Sequence, residues 1–221
     1  MSLTKQQIQI LADAINNYDF PKITYDFQNE KEVSHPSMRQ LETSIRDKLT
    51  SGDIVDVEDG LSNVLYWGYY RIGYRDERVH RFRSKVDKQQ LIHASEVFKN
   101  LSGPGIRRIK NFNLPEFSGI SFISKVRMFL DPHQYAILDQ KLMKLSKFEP
   151  VTLFRYIKSS TSIPCTINNE RQYQNWCNLC RKTTELYFQE QGFIAVDIER
   201  GIFHLIENGQ GEVAANIVAN I

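Results

Sequence analysis

Cysteine is scarce in this chain, and the few thiols do not form a framework. Three cysteines in 221 residues are an odd count, which makes a self-contained disulfide scaffold unlikely and fits a reducing compartment. Long hydrophobic runs are missing too: none approaches the roughly 20 apolar residues a membrane-spanning helix needs. The opening stretch, MSLTKQQIQILADAINNY, is polar and helically periodic and lacks the basic start, apolar centre and small-residue cleavage site of a signal peptide. A cytoplasmic protein without membrane contact is therefore expected. The five histidines form no metal triad, no H-x-x-x-H occurs, and no phosphate-binding Walker loop is present. Gly103-Pro104-Gly105 reads as a helix break. No metal and no cofactor is expected. Cys177 and Cys180 do make a C-x-x-C, but no second Cys or His pair stands at zinc-finger spacing. At i and i+3 they share one helix face, so both read as buried core residues. Repeats, heptads and low-complexity tracts are absent, and sustained strand alternation is hard to find.

What the sequence has is helical periodicity and an uneven distribution of charge. A net charge of +2 conceals residues 1–70 with 6 Lys and Arg against 11 Asp and Glu, a net of −5. Residues 71–110 reverse it, with 11 against 4, a net of +7. Such a basic block suggests a face built for a polyanion, or else the solvated side of a helix.

Apolar stripes mark the helices. Ile8, Leu11, Ala12 and Ile15 define one over 4–18. A polar and aromatic connection follows, and a second helix starts near Pro36 with Leu41, Ile45 and Leu49 inward. Ser51-Gly52-Asp53 ends it and caps a third, 54–70, whose last turn runs into the aromatic cluster YWGYYRIGY. That cluster reads as core for most of its rings, with one or two left to face a ligand. Residues 87–101 form another helix with Leu91, Ala94, Val97, Phe98 and Leu101 inward. IRRIKNF is a short basic helix, LPEFSG a tight turn, and SFISKVRMFL a helix stopped by Asp131-Pro132. A long helix covers about 169–189, a last one covers 196–206 with Asp197 as its cap, and GQGEVAANIVANI reads as a loosely held tail. The fold class is mainly α.

In QYAILDQKL a short apolar run ends at Asp139, and a helix begins immediately after it. The simplest role for Asp139 is an N-cap accepting from the N–H groups of Lys141 or Leu142. The other is a carboxylate placed for chemistry, and the two are compatible.

The order basic short helix, LP-turn, helix, apolar run, Asp, helix resembles the helix-hairpin-helix DNA glycosylase superfamily. Its hairpin reads L-P-G-V-G, and its catalytic Asp follows an apolar run about twenty residues on. Here those features fall on Leu114-Pro115-Glu116-Phe117-Ser118-Gly119 and on Ala136-Ile137-Leu138-Asp139. SKVRMFLDPHQYAILDQKL and VDIERGIFHL look like bacterial proteins with an 8-oxoguanine-glycosylase-type fold. The close match covers about 104–145 and 195–206. The resemblance implies a two-lobed helical fold, with 1–70 a helical segment packed on a glycosylase-like domain, 71–221, as one intertwined unit. It implies duplex DNA as partner, a nucleoid-associated location and a role in base-excision repair. Backbone phosphates would be met by Arg107, Arg108, Lys110, Ser118, Gly119, Ser121 and Lys125, with Arg71, Arg75, Arg78, Arg81, Arg83 and Lys85 upstream. A base pocket would draw on Glu199, Phe203 and Trp67, and Asp139 would be the catalytic carboxylate.

Three residues depart from the pattern. Bifunctional relatives carry a nucleophilic Lys nineteen residues before the Asp, where this chain has Ile120. Lys125 lies five residues further on, about 140° around the helix. Glu116 and Ser118 stand where glycine is usual. The reading that follows is a monofunctional glycosylase working through Asp139. Its rivals are a DNA-binding module without catalysis and a protein-interaction domain whose acidic and basic segments pair with each other or with a partner.

Overall fold

The Ile8, Leu11, Ile15 stripe becomes α1 (Lys5–Asn16), opened by a capping box in which Thr4 and Gln7 exchange bonds. The structure, a computed structural model described over residues 2–99, 104–149 and 151–221, is mainly helical throughout. It divides into two compact units, one made of residues 1–19 and 132–221 and the other of residues 20–131. The division falls near Asp19 and Asp131, not at residue 70, because the helices on either side of residue 70 pack on one another within the second unit.

The second unit begins with strands where the sequence predicts only a connection. The connection after α1 holds a β-hairpin, β1 (Ile23–Asp26) antiparallel to β2 (Lys31–Ser34), with Ile23 opposite Ser34 and Asp26 opposite Lys31. Asp26 organises the turn by accepting from the N–H groups of Gln28 and Asn29, and Glu30 takes φ +50°. The outer edge of β1 is satisfied by one side chain. Buried Asn63 accepts from the Tyr25 N–H at 2.6 Å and donates to the Tyr25 carbonyl at 3.0 Å. Asn63→Ala should therefore leave a part-buried donor and acceptor to solvent and cost about 1 kcal/mol. Thermal denaturation measures the loss, and faster amide exchange at Tyr25 would place it.

Asn63 lies on α3 (Ile54–Gly68), which Asp53 caps through the N–H groups of Val55 and Asp56. α3 packs on α2 (Met38–Thr50), whose cap is Ser37. Gly60 permits the approach, since a Cβ there would lie 3.0 Å from the Leu49 side chain and backbone. α4 (Arg75–Lys85), α5 (Lys88–Phe98) and the five-residue α6 (Ile106–Lys110) follow, then α7 (Ile120–Leu130). Leu101, expected as an inward position of the α5 helix, lies outside the described residues, as do Ser102 and Gly103 of the expected break.

In the first unit, α8 (Ile167–Tyr187) and α9 (Ala195–Glu207) pack together, and α9 also packs on α1. Gly201 is where α1 and α9 meet most closely; a Cβ there would lie 2.8 Å from Leu11 and Ile15 side-chain atoms. Two sequence expectations are overturned here. The tail forms α10 (Gly211–Asn220), which buries Ala214, Ala215, Ile217 and Val218. Asp197 is not the cap of α9; it stands three residues inside, and its carboxylate accepts from the Ile194 N–H at 2.9 Å.

The helix expected after Asp139 is a 3-10 helix, Leu142–Lys147. Its buried residues Leu142 and Leu145 recur at three, which suits three residues per turn. A shorter one covers Leu153–Tyr156. Among the described residues, no helix is long and apolar enough to cross a membrane.

Candidate functional site

The apolar run of QYAILD is extended chain, with Ala136, Ile137 and Leu138 buried against α8. Its backbone cannot find partners within itself, so α8 supplies them. Trp176 Nε1 donates to the Ile137 carbonyl at 2.8 Å, and the Cys177 thiol reaches the Ala136 carbonyl at 3.9 Å. Cys177 and Cys180 are both fully buried, and burial pushes the Cys180 thiol well above its ordinary value. The C-x-x-C is thus part of the wall that carries the run to Asp139.

Asp139 is half-buried and takes up the hydrogen bonds of an N-cap, although the 3-10 helix itself begins after Lys141. Its Oδ1 accepts from the N–H of Lys141 at 2.9 Å and of Leu142 at 3.2 Å, while its carbonyl accepts from Met143 at 3.3 Å. Both side-chain bonds converge on Oδ1, which fixes the carboxylate plane. The same Lys141 sends its ammonium 4.8 Å above the Phe203 ring and pairs with Glu207. Phe203, 8% exposed, also takes the edge of Tyr18 at 6.2 Å between ring centres.

Tyr18 joins this group although no sequence motif marks it. Burial pushes its phenol well above the ordinary value; Arg200 opposes the shift, and Glu199, Asp139 and Glu207 add to it. The phenol is therefore protonated at neutral pH and can donate. The Arg200 guanidinium lies 5.6 Å over the Tyr18 ring and pairs with Asp197 at 3.3 Å. Glu199, Arg200 and Asp197 are all buried. Tyr18 thus lies in the electrostatic field of Asp139, Glu199 and Glu207, while the ammonium of Lys141, two residues after Asp139, covers the Phe203 face. Continuing the α1 stripe from Leu11 and Ile15 by one more turn would have reached Tyr18.

In the second unit, Ile106 and Ile109 anchor α6 in the core, so that Arg107 and Arg108 are exposed and Lys110 is half-exposed. Asn113 (φ +52°) and Glu116 (φ +68°) take the left-handed backbone that the LPEFSG turn requires. Leu114 and Phe117 bury the turn's apolar side, and the Phe117 N–H bonds the Leu114 carbonyl at 3.2 Å. Gly119 opens α7 with no side-chain cap, and Ser118 is exposed while Ser121 is half-buried. Ile120, in the position a nucleophilic lysine would hold, is fully buried.

Two proposed contacts are corrected by their placement. Lys125 is 7% exposed, with its ammonium on the Ser121 carbonyl at 3.2 Å and 4.8 Å above Phe122, so it offers a phosphate no open approach. Trp67 is 2% exposed; Phe20 and Phe129 press its ring edge-on, and its N–H bonds the Pro21 carbonyl at 3.0 Å. It is core, without a face for a base.

The upstream arginines have mostly found acids in their own chain. Arg83 meets Asp59 at 2.8 Å, and Arg75 meets Asp76 at 2.8 Å and Glu32 at 3.4 Å. The Glu116 carboxylate takes Arg78 at 2.8 Å and Arg81 at 3.5 Å. The aromatic cluster stacks these guanidiniums: Arg75 lies 3.9 Å from the Tyr66 ring centre, and Arg78 lies over Tyr69 and Tyr74. Acidic and basic segments thus pair within the unit.

Among the described residues, no group of three or more His, Cys, Asp or Glu is placed to hold a metal ion. Comparison of the chain with protein-family models, with curated proteins and with solved structures found no match in any of the three.

Proposed function

We propose that this chain is a duplex-DNA-binding protein of the helix-hairpin-helix glycosylase type that releases a damaged base by a monofunctional route through Asp139. The observation that carries the reading is the Asp139 carboxylate, oriented through Oδ1 by two backbone donors, one of them the N–H of the same Lys141 whose ammonium covers Phe203. Oδ2 would then face the positive charge that develops on the sugar as the glycosidic bond lengthens, or take a proton from the attacking water. Phe203 would stack the extruded base once the Lys141 ammonium moves off its ring. On the second unit, Arg107, Arg108 and Lys110, with the uncapped first turn of α7 at Gly119, would hold phosphates without reading sequence.

The test is incubation of the purified chain with duplexes carrying single oxidised, alkylated or deaminated bases, followed by chromatography of the free base. Release without strand scission supports the reading. Scission through a covalent imine would refute the monofunctional route, since Ile120 cannot form one.

A second reading is a DNA-binding module without catalysis, favoured by Ile120, buried where a nucleophilic lysine would stand, and by Glu116 and Ser118 in place of the hairpin glycines. Tight binding of every duplex with no base released from any of them would select it.

Glu116 supplies a separate check on the DNA-facing surface. Its carboxylate neutralises Arg78 and Arg81 in a turn where glycine would suit the backbone better. Glu116→Gly is expected to free the Arg78 guanidinium, while Arg81 keeps Glu77, and to steepen the salt dependence of duplex binding by about one unit of slope. An unchanged slope would show that Arg78 serves only the fold.

A further inference from the structure

We infer that the first unit carries a nucleotide subsite, a phosphate-and-base site formed between the 3-10 helix that Asp139 caps and the α9–α10 turn. The place is a cavity of about 470 Å³, within the usual size range for a small-ligand site. Its floor is apolar, formed by Leu145, Phe148 and Ile206. The opposite wall is almost bare backbone. Gly209 takes φ +77°, and a Cβ on Gly211 would already touch the Phe148 ring at 3.5 Å. The Gly211 backbone therefore packs on the tip of the Phe148 ring, and a flat ligand would lie on the face of that half-buried ring that this contact leaves open.

The charges at the rim set the class of ligand. Lys144 and Lys147 stand three residues apart, which in a 3-10 helix places them on one edge. Both are exposed, and among the described residues neither ammonium has an ion-pair partner. Most of the upstream arginines, by contrast, are matched to carboxylates. One acid, Glu212, lines the cavity, so its charge balance stays positive. Two unmatched ammoniums above an aromatic floor suit a phosphate joined to a planar base.

That chemistry could arrive on a DNA strand or as a free mononucleotide. In the first case the subsite rests on the DNA reading and adds a grip on the strand beside the residue proposed to act on it. The full chain is titrated with adenosine 5′-monophosphate and, separately, with a plain 20-base-pair duplex over a salt series. The parent, Lys144→Ala/Lys147→Ala and Phe148→Leu are compared in each arm.

If the strand is the ligand, the double-lysine variant lowers the salt slope of duplex binding by about two units, and Phe148→Leu weakens the duplex without changing that slope. If a free nucleotide is the ligand, both variants weaken the monophosphate by about tenfold or more, and duplex binding stays at parent level. Parent-like binding by the double-lysine variant in both arms overturns the inference. Failure of the parent to bind any duplex would count against the DNA reading, while the monophosphate arm would still decide the subsite. Phe148 is half-buried, so Phe148→Leu is read only if its melting temperature matches the parent; the exposed lysines carry the test alone otherwise.

Discussion

Asp139→Asn is expected to lower base release by about 10²–10⁴-fold on a duplex from which the parent chain releases a base, with unchanged affinity for that duplex. The substitution removes charge and almost nothing else. An Asn side-chain oxygen can accept from the Lys141 and Leu142 N–H groups as the carboxylate does, and Asn caps helices about as well as Asp. The 3-10 helix and the position of Lys141 above Phe203 should therefore survive, and thermal stability should stay near the parent value. Asp139→Ala makes the complementary control. It loses the cap as well as the charge and should cost about 1 kcal/mol in stability on top of the same loss of turnover. A rate that falls only in the alanine variant would assign Asp139 a purely structural part. Parent-like turnover in Asp139→Asn would end the catalytic reading altogether.

The residues that were legible from sequence are those whose partners lie within one helical turn. Asp53 at the head of α3 and Asp139 with the two N–H groups that follow it are short-range arrangements, and each forms as its spacing implies. The hairpin was hidden because each strand has only four residues and its edge is completed by Asn63, 38 positions beyond Tyr25. In α10 the signal was present, since Ala214, Ala215, Ile217 and Val218 lie on one face, but small residues and two nearby glycines disguised it. The cap of α9 was misplaced by three residues because an acid at the third helical position serves the same N-terminal amides as one at the cap.

The same distinction runs through the candidate site. Phe203 and Glu199 follow from the glycosylase resemblance, whereas Tyr18 enters from the segment just after α1, and no local pattern foretells its neighbours. The basic block invited a polyanion, yet Arg75 and Arg83 meet the acids of residues 1–70, and Arg78 meets Glu116. Charge counting reports an excess per segment; it cannot say which carboxylate the fold will bring to which guanidinium. Arg107 and Arg108 keep their exposure because α6 is only five residues long and its two buried isoleucines fix its inward face. Trp67 shows the converse error, since an aromatic next to a basic run was the simplest candidate for stacking, and the core took it.

Asp197→Ala is expected to be the most destabilising single change near the site, at about 3–5 kcal/mol. The carboxylate does two things at once: it accepts from the Ile194 N–H at the start of α9, and it faces the Arg200 guanidinium at 3.3 Å. Both side chains are buried, so water does not screen the pair or replace a lost partner. For a chain of this length the midpoint of thermal unfolding should fall by roughly 10 °C. Asp197→Asn can keep the Ile194 bond and should cost less. The loss from the alanine variant comes mainly from Arg200, left facing a missing charge, so Asp197→Ala combined with Arg200→Leu should recover a large part of it. Arg200 also lies over Tyr18, whose phenol is within electrostatic reach of Asp139. The double variant should therefore regain stability while still perturbing base release, which separates the pair's role in folding from its role in ordering the site. A double variant no more stable than Asp197→Ala alone would place the loss in the helix start instead.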